Sequence, residues 1–224
     1  MAKYLGKTWK KEALLACIGA PRQIAGIRPF VLSDGKAEGV KAANVNTGAG
    51  LSFMVLPGRG MDIPEAFYKG KPLHFAGCSG ITSPAYFEEP GVGWLRSFFV
   101  GLLMTCGITY SGPPDEDQGK SLGLHGRISN TGAESVGIDQ RWEGDEYVLS
   151  LQGTVRESST LEENMALTRR IETKLGEKGF RLVDVIENRG FEAQPLMMLY
   201  HFNYGYPLLG PRAKVVGPDC PLNR

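Results

Sequence analysis

The chain has no apolar run approaching the ~18 residues of a membrane-spanning helix, and Met1-Ala2-Lys3-Tyr4 leads into a polar, lysine-containing segment with no signal-peptide core. A cytoplasmic location is expected. Nor is there an excess of either charge: 25 Lys and Arg stand against 24 Asp and Glu, a net charge of +1. That balance gives no electrostatic footprint for nucleic acid or an anionic membrane, so the expected partner is a small or neutral molecule. Cysteine is scarce, and Cys17, Cys78, Cys106 and Cys220 form no C-x-x-C pair, which removes the zinc-knuckle and dithiol motifs. All four read as small buried hydrophobes, Cys106 within LLMTCGI most clearly. There is no P-loop, no G-x-G-x-x-G after a strand, no G-x-S-x-G elbow and no repeat of fixed period. No cofactor and no resident metal are implied. Histidine is rare too: His74, His125 and His201 are the only three.

What is present is strand-forming sequence. At 224 residues the chain suits one domain, residues 1–224, able to bury about 70% of its unfolded surface. Residues 1–25 read as an N-terminal arm in which KEALLACI (11–18) makes a short amphipathic helix stopped by Gly19 and Pro21. From Gly26, IRPFVLS, GVKAANVNT and LSFMVLP are short strands divided by Gly-containing turns, the spacing of antiparallel hairpins. In the Gly58-Arg59-Gly60-Met61-Asp62 corner, Arg59 and Asp62 pair with each other or cap a turn. LLMTCGI, apolar throughout, predicts a central strand buried on both faces. Tyr110–Lys120, with two prolines and three acids, is expected to be a surface loop without regular structure, beside His125. Beyond it, five segments ending in PLMMLYHFN alternate with period two, and no helix of ordinary length is expected there.

The stretch Leu196 to Leu209 carries the densest chemistry. An apolar strand delivers His201 and breaks into a loop with Asn203, Tyr204 and Tyr206, which together offer proton transfer, hydrogen bonds and flat stacking faces. The other candidate is His125 in GLHGRISN, where Gly126 lets the backbone pass close to a ligand and Arg127 adds a fixed fork of donors. A lone strand-end histidine is most often structural; two, each flanked by turn and polar residues, weaken that explanation. His74, in an apolar strand, reads as structural. Trp94 and Tyr86 either stack on a sugar's apolar face or belong to the core, Trp94 leaning to core.

The ordered set GRGMD (58–62), GLLMTCG (101–107), LHGR (124–127) and LYHFNYGYP (199–207) resembles the aldose 1-epimerase, or galactose mutarotase, superfamily, and within it the DUF4432 branch. The resemblance implies an all-β, mostly antiparallel galactose-mutarotase-like β-supersandwich and interconversion of sugar anomers by general acid/base catalysis. His201 matches the family's general acid and His125 the histidine that binds the ring oxygen or a hydroxyl. Arg127, Asn203 and Arg96 would orient hydroxyls, and a sugar or sugar derivative would be the partner.

One departure from the family pattern is visible. The superfamily's general base is a carboxylate well after the H-x-N strand, whereas Arg224 comes only 23 positions after His201. Three explanations stand: the C-terminal end is incomplete, another residue serves as base, or the activity is absent. Glu157 and Glu187 are the carboxylates to test, although each suits a structural strand end. Open sheet edges would favour pairing as a homodimer. The alternatives to an epimerase are a non-catalytic sugar-binding module and a metal-dependent sugar isomerase using both histidines, which the spacing does not support.

Overall fold

The structure is a computed structural model in which residues 1–214, 216 and 217 are described. Cys220 and the end of the GPDCPLNR segment lie outside the described residues. The chain opens with a hairpin, β1 (Ala2–Tyr4) and β2 (Lys7–Trp9), and helix α1 (Lys11–Leu15). The helix is shorter than the 11–18 expected. This segment is more than an arm, because Ala2, Leu14, Ile24 and Ala25 are buried in the main core and the Asp145 carbonyl accepts from Ala2 N at 2.7 Å.

Five strands follow as one antiparallel sheet, β3 (Gly26–Val31), β4 (Lys41–Asn46), β5 (Leu51–Val55), β6 (Ala66–Tyr68) and β7 (Lys71–Pro72), in that order. In β5 the alternation of LSFMV is clean: Leu51, Phe53 and Val55 are buried and Ser52 and Met54 half-buried. Shorter pieces come next: β8 (Phe75–Ala76), β9 (Val100–Gly101), β10 (Leu103–Cys106), β11 (Asp115–Asp117) and β12 (Lys120–Leu122). The last two form a hairpin, so the 110–120 segment is not wholly irregular: Gly119, at a φ of +78°, supplies the turn that lets DEDQGK fold back on itself.

The second large sheet is β13 (Glu134–Glu143), β14 (Glu146–Ser158), β15 (Asn164–Lys174) and β16 (Arg181–Asn188), again antiparallel and in chain order. The final strand β17 (Leu199–Phe202) joins neither large sheet; it pairs with β10. It is shorter than the PLMMLYHFN run predicts, since Met197 makes a single backbone bond, to Ile108, before the ladder begins.

The two large sheets face each other across one core, with Ile27, Val45, Phe53 and Val55 of the first packed among Leu149, Leu151, Val155, Leu167 and Ile171 of the second. A satellite core of Val40, Ala42, Leu56, Trp94, Phe99, Met104 and Cys106 sits under the 3-10 turn Gly93–Ser97. β10 lies between them, fully buried, with β17 on one edge and a bridge from Leu103 to Ile63 on the other. Double-sided burial is what its unbroken apolar sequence demands. The cysteines divide. Cys106 is buried, whereas Cys17 and Cys78 are exposed, contrary to the expectation of burial; each stands in a turn or coil outside the strands that build the cores.

Candidate functional site

β10 assembles the site. Its ladder with β17 sets Met104 opposite His201. Just beyond its C-terminal end, Gly107 bridges Gly126 in parallel, with Gly107 N donating to the His125 carbonyl at 3.0 Å and Ile128 N donating to the Gly107 carbonyl at 3.1 Å. The turn bearing His125 is thus strapped to the strand that pairs with the one bearing His201. The ring centroids of His125 and His201 lie 6.1 Å apart, edge to face.

The sequence reading puts His125 and His201 on neighbouring strands facing one concavity; His125 is instead on a turn before the 3-10 segment Ile128–Asn130, and its own φ is +61°, a left-handed conformation that a side-chain-bearing residue holds when its surroundings impose it. Gly126 does admit a close approach, but by protein: a Cβ there would stand 2.3 Å from the Tyr110 carbonyl oxygen and 2.6 Å from that of Gly107.

Behind the pair is an aromatic wall from the Gly93–Ser97 turn. Trp94 stacks on Phe98 at 4.5 Å, meets the His125 ring edge-on at 4.8 Å, and Phe98 lies 5.1 Å from the His201 ring. Trp94 is buried and donates from Nε1 to Ser129 Oγ at 3.0 Å; it is core and site backing at once. Tyr86 is exposed, and His74 is held structurally, its Nδ1 against the Ala66 backbone and its ring against Phe67.

The remaining candidates are distributed around this centre. Arg127 is about half exposed and pairs with Glu89 and Glu163; burial works to lower its pKa, but the Glu89 hydrogen bond and the charges of Glu89, Glu157 and Glu163 together raise it. A cleft of about 220 Å³ beside it is lined by Glu89, Pro90, Ser121, Gly123 and Arg127. Asn203 directs its amide nitrogen to the carbonyls of Val100 and His201 at 2.8 and 3.1 Å, which fixes the chain on leaving β17. Arg96 is 69% exposed and bridges to Glu88; among the described residues it makes no hydrogen bond to either histidine. Tyr206 is 78% exposed. Glu157 is buried, its carboxylate accepting from Ile108 N at 2.7 Å and from Thr109 N and Oγ1, and Glu187 pairs with Arg189.

Two buried arginines support the site, and the sequence reading missed their part in it. The Arg59 side chain does not bond to Asp62, although the Asp62 N–H donates to the Arg59 carbonyl at 3.0 Å and closes the turn. The Arg59 fork donates to the carbonyls of Ser129, Thr82 and Ser97 at 2.6, 2.6 and 3.1 Å, tying together the segments that carry Trp94, Phe98 and the end of the His125 turn. Burial pushes its pKa down to about 10, with Asp62 opposing. Asp62 pairs instead with Arg169 and accepts from Thr105 N and Oγ1 at 3.0 and 2.7 Å. Arg169 also holds Asp184, which accepts from the Tyr200 hydroxyl at 2.8 Å, next to His201. A signal for Arg169 was present: in β15 it occupies the inward phase with Met165, Leu167 and Ile171. Burial raises Asp62 to about 6, against the Arg169 charge and the Thr105 bonds.

Two antiparallel sheets facing each other across one core make the fold a β-sandwich, and its structural neighbours are galactose mutarotase-like. The particular family follows from the sequence model of the family described as Domain of unknown function (DUF4432), which matches residues 37–222; the chain belongs to that family. In fold it is similar to a protein of Klebsiella pneumoniae subsp. pneumoniae MGH 78578 whose assignment as an aldose 1-epimerase is by inference: TM-score 0.76, 27% identity, over 82% of this chain and 48% of that one. A galactose mutarotase-like protein from Clostridium acetobutylicum shares the fold at TM-score 0.54 and 15% identity, over 83% of this chain and 55% of that one. The chain thus spans about half the length of these structures. A comparison with curated proteins gives no match. Among the described residues no helix is long and apolar enough to cross a membrane, and no three His, Cys, Asp or Glu cluster as metal ligands.

Proposed function

We propose that this protein binds an aldose and interconverts its α and β anomers by general acid/base catalysis. The observation that carries the proposal is the histidine pair, two half-buried imidazoles with centroids 6.1 Å apart against an aromatic wall. That separation places both within reach of one small molecule. Ring opening requires a proton delivered to the ring oxygen and another removed from the anomeric hydroxyl. Rotation about the C1–C2 bond and reclosure then exchange the anomers. His201 is the acid in this scheme: among the described residues its ring makes no hydrogen bond, so its nitrogens are available to substrate. Arg127, two positions after His125 and about half exposed, is suited to orienting a hydroxyl or an anionic substituent. Glu157 is the weaker choice of base, since its carboxylate already accepts from Ile108 and Thr109.

The test is polarimetry on freshly dissolved α-glucose and α-galactose, with and without a 6-phosphate, using the protein from its full reading frame. Wild type should accelerate at least one of them, and His201→Ala should lower kcat about 100-fold or more, a barrier increase of about 3 kcal/mol. A wild type that accelerates none refutes the assignment as a mutarotase; saturable sugar binding without turnover would favour a binding module.

A further inference from the structure

The outward face of the first sheet carries a cleft that the histidine pair does not use. Ile27, Val45 and Phe53 of β3, β4 and β5 point into the core, so by the alternation of a strand Arg28, Asn44, Asn46 and Ser52 point the other way. The register sets Arg28 opposite Asn44, and Asn46 between Gly26 and Ser52. With the 3-10 turn Pro21–Gln23 and the turn after β6, these positions line a cleft of about 440 Å³, within the range of roughly 300–1,000 Å³ for small-molecule sites. The amides and hydroxyl of Asn44, Asn46 and Ser52 lie on the sheet. The cations come from its flanks: Arg22 from the 3-10 turn, Arg28 from β3 and Lys69 from beyond β6.

Local bonds place these groups. Arg28 Nη2 donates to the Arg22 carbonyl at 3.3 Å, which ties its fork to the turn that bears the second arginine. Lys69 N donates to the Gly50 carbonyl at 2.7 Å, and its stem lies so close over Gly50 that a Cβ there would stand 2.9 Å from Lys69 Cγ. Asn46 Oδ1 accepts from Gly48 N at 2.9 Å, so its amide nitrogen is the end left to a ligand. Elsewhere on the surface Arg96, Arg127, Arg141, Arg156, Arg170 and Arg189 each pair with a carboxylate. Among the described residues Arg22, Arg28 and Lys69 pair with none, and neither a carboxylate nor an aromatic ring lines the cleft. Like charges around one hollow repel, and an anion between them relieves the repulsion. We propose that this cleft binds a phosphate monoester of a polyhydroxylated small molecule, a sugar phosphate. Its phosphate, carrying about −1.5 to −2 charges at pH 7, sits on the Arg22–Arg28 side, where a guanidinium fork matches its oxygens. Its hydroxyls lie over Asn44, Asn46 and Ser52, and Lys69 closes the far side, three strand spacings or about 14 Å from β3. The absence of an aromatic face disfavours a nucleobase. The cleft shares no residue with the histidine pair and does not depend on turnover there.

Calorimetric titration at pH 8 of the protein from its full reading frame, with glucose 6-phosphate, inorganic phosphate and glucose as separate probes, is the first measurement. Glucose 6-phosphate should bind saturably and more tightly than inorganic phosphate, which lacks the hydroxyls. Its affinity should fall as salt rises from about 0.01 to about 0.1 M, where the screening length shortens from about 30 to about 10 Å. Arg28→Gln, at an exposed position, should raise the Kd for glucose 6-phosphate about 10-fold or more, the value of one charge-assisted hydrogen bond, with an unchanged urea midpoint; Lys69→Gln should raise it less. Asn44→Asp, nearly isosteric, places a negative charge on the sheet and should also weaken binding. The second measurement is the side-chain amide NMR signal of Asn46, which glucose 6-phosphate should move and glucose should not. No saturable binding of either phosphate probe, a Kd unchanged in both Arg28→Gln and Asn44→Asp, or an Asn46 amide moved equally by glucose overturns the site. So does binding that Arg127→Gln removes and Arg28→Gln leaves intact, since the phosphate would then be held beside the histidine pair.

Discussion

Arg59 is the position where a substitution tests the support of the site most directly. Its guanidinium is fully buried and donates to three backbone carbonyls and one hydroxyl. Arg59→Met roughly preserves the volume and removes every donor. Each of the three stranded carbonyls costs about 1–3 kcal/mol, so roughly 3–9 in total. Against that, a pKa pushed from 12.5 down to about 10 means that holding the charge in the fold costs about 3 kcal/mol, at about 1.4 per unit, and the variant recovers this. The net expectation is a loss of about 3 kcal/mol, a large share of the roughly 5–15 that holds a domain together. Arg59→Lys separates the causes: it retains the buried charge, but a single ammonium cannot reproduce the planar fork, so it should be at least as destabilised as the Met variant. The assay is urea unfolding followed by fluorescence, with buried Trp94 as one of the reporters. Arg59→Lys within about 0.5 kcal/mol of wild type, the usual bound for a surface change, or Arg59→Met as stable as wild type, would refute the fork argument.

Three further expectations concern the same region. Gly126→Ala, at a φ of +71° and with backbone oxygens 2.3 and 2.6 Å from the new Cβ, should cost about 2–5 kcal/mol by summing left-handed strain and overpacking; a loss below about 0.5 in urea unfolding would show that the Gly107–Gly126 approach is not rigid. Burial, aided by the Asp62 charge, raises the Cys106 thiol to about 12, so iodoacetamide at pH 8 followed by peptide mapping should modify Cys17 and Cys78 and spare Cys106 until denaturant is added; rapid native labelling of Cys106 would contradict its placement. For Asp62, a folded pKa near 6 lies above the unfolded value of about 3.9. The native state therefore binds more protons between those values, and stability from this group is fully present below about pH 4 and lost as pH rises through about 6. Asp62→Asn should flatten that part of the pH–stability curve relative to wild type, and identical slopes would refute the shift.

Much of the fold can be read from local pattern, because period-two alternation and Gly-containing turns are properties of neighbouring residues. The hairpins of β3–β5, the long strands β13–β16, the buried β10 and, among the described residues, a second half without ordinary helices are legible in this way, and the ordered motifs identify the family. Local pattern misled where a segment's fate depends on what lies across from it. Cys17 and Cys78 are apolar enough for a core that does not reach them, and DEDQGK forms a hairpin because Gly119 closes the turn. Residues 1–25 are fixed by contacts with the long β13–β14 hairpin.

The site divides along the same line. His125 and His201 stand out in the sequence because histidine is rare and both are set among glycines and polar residues. Their meeting was decided by tertiary structure, through a strand that pairs with one and, just past its end, bridges the turn of the other. The roles of Arg59 and Arg169 were likewise decided there. A buried fork takes its meaning from three acceptors far apart in the chain.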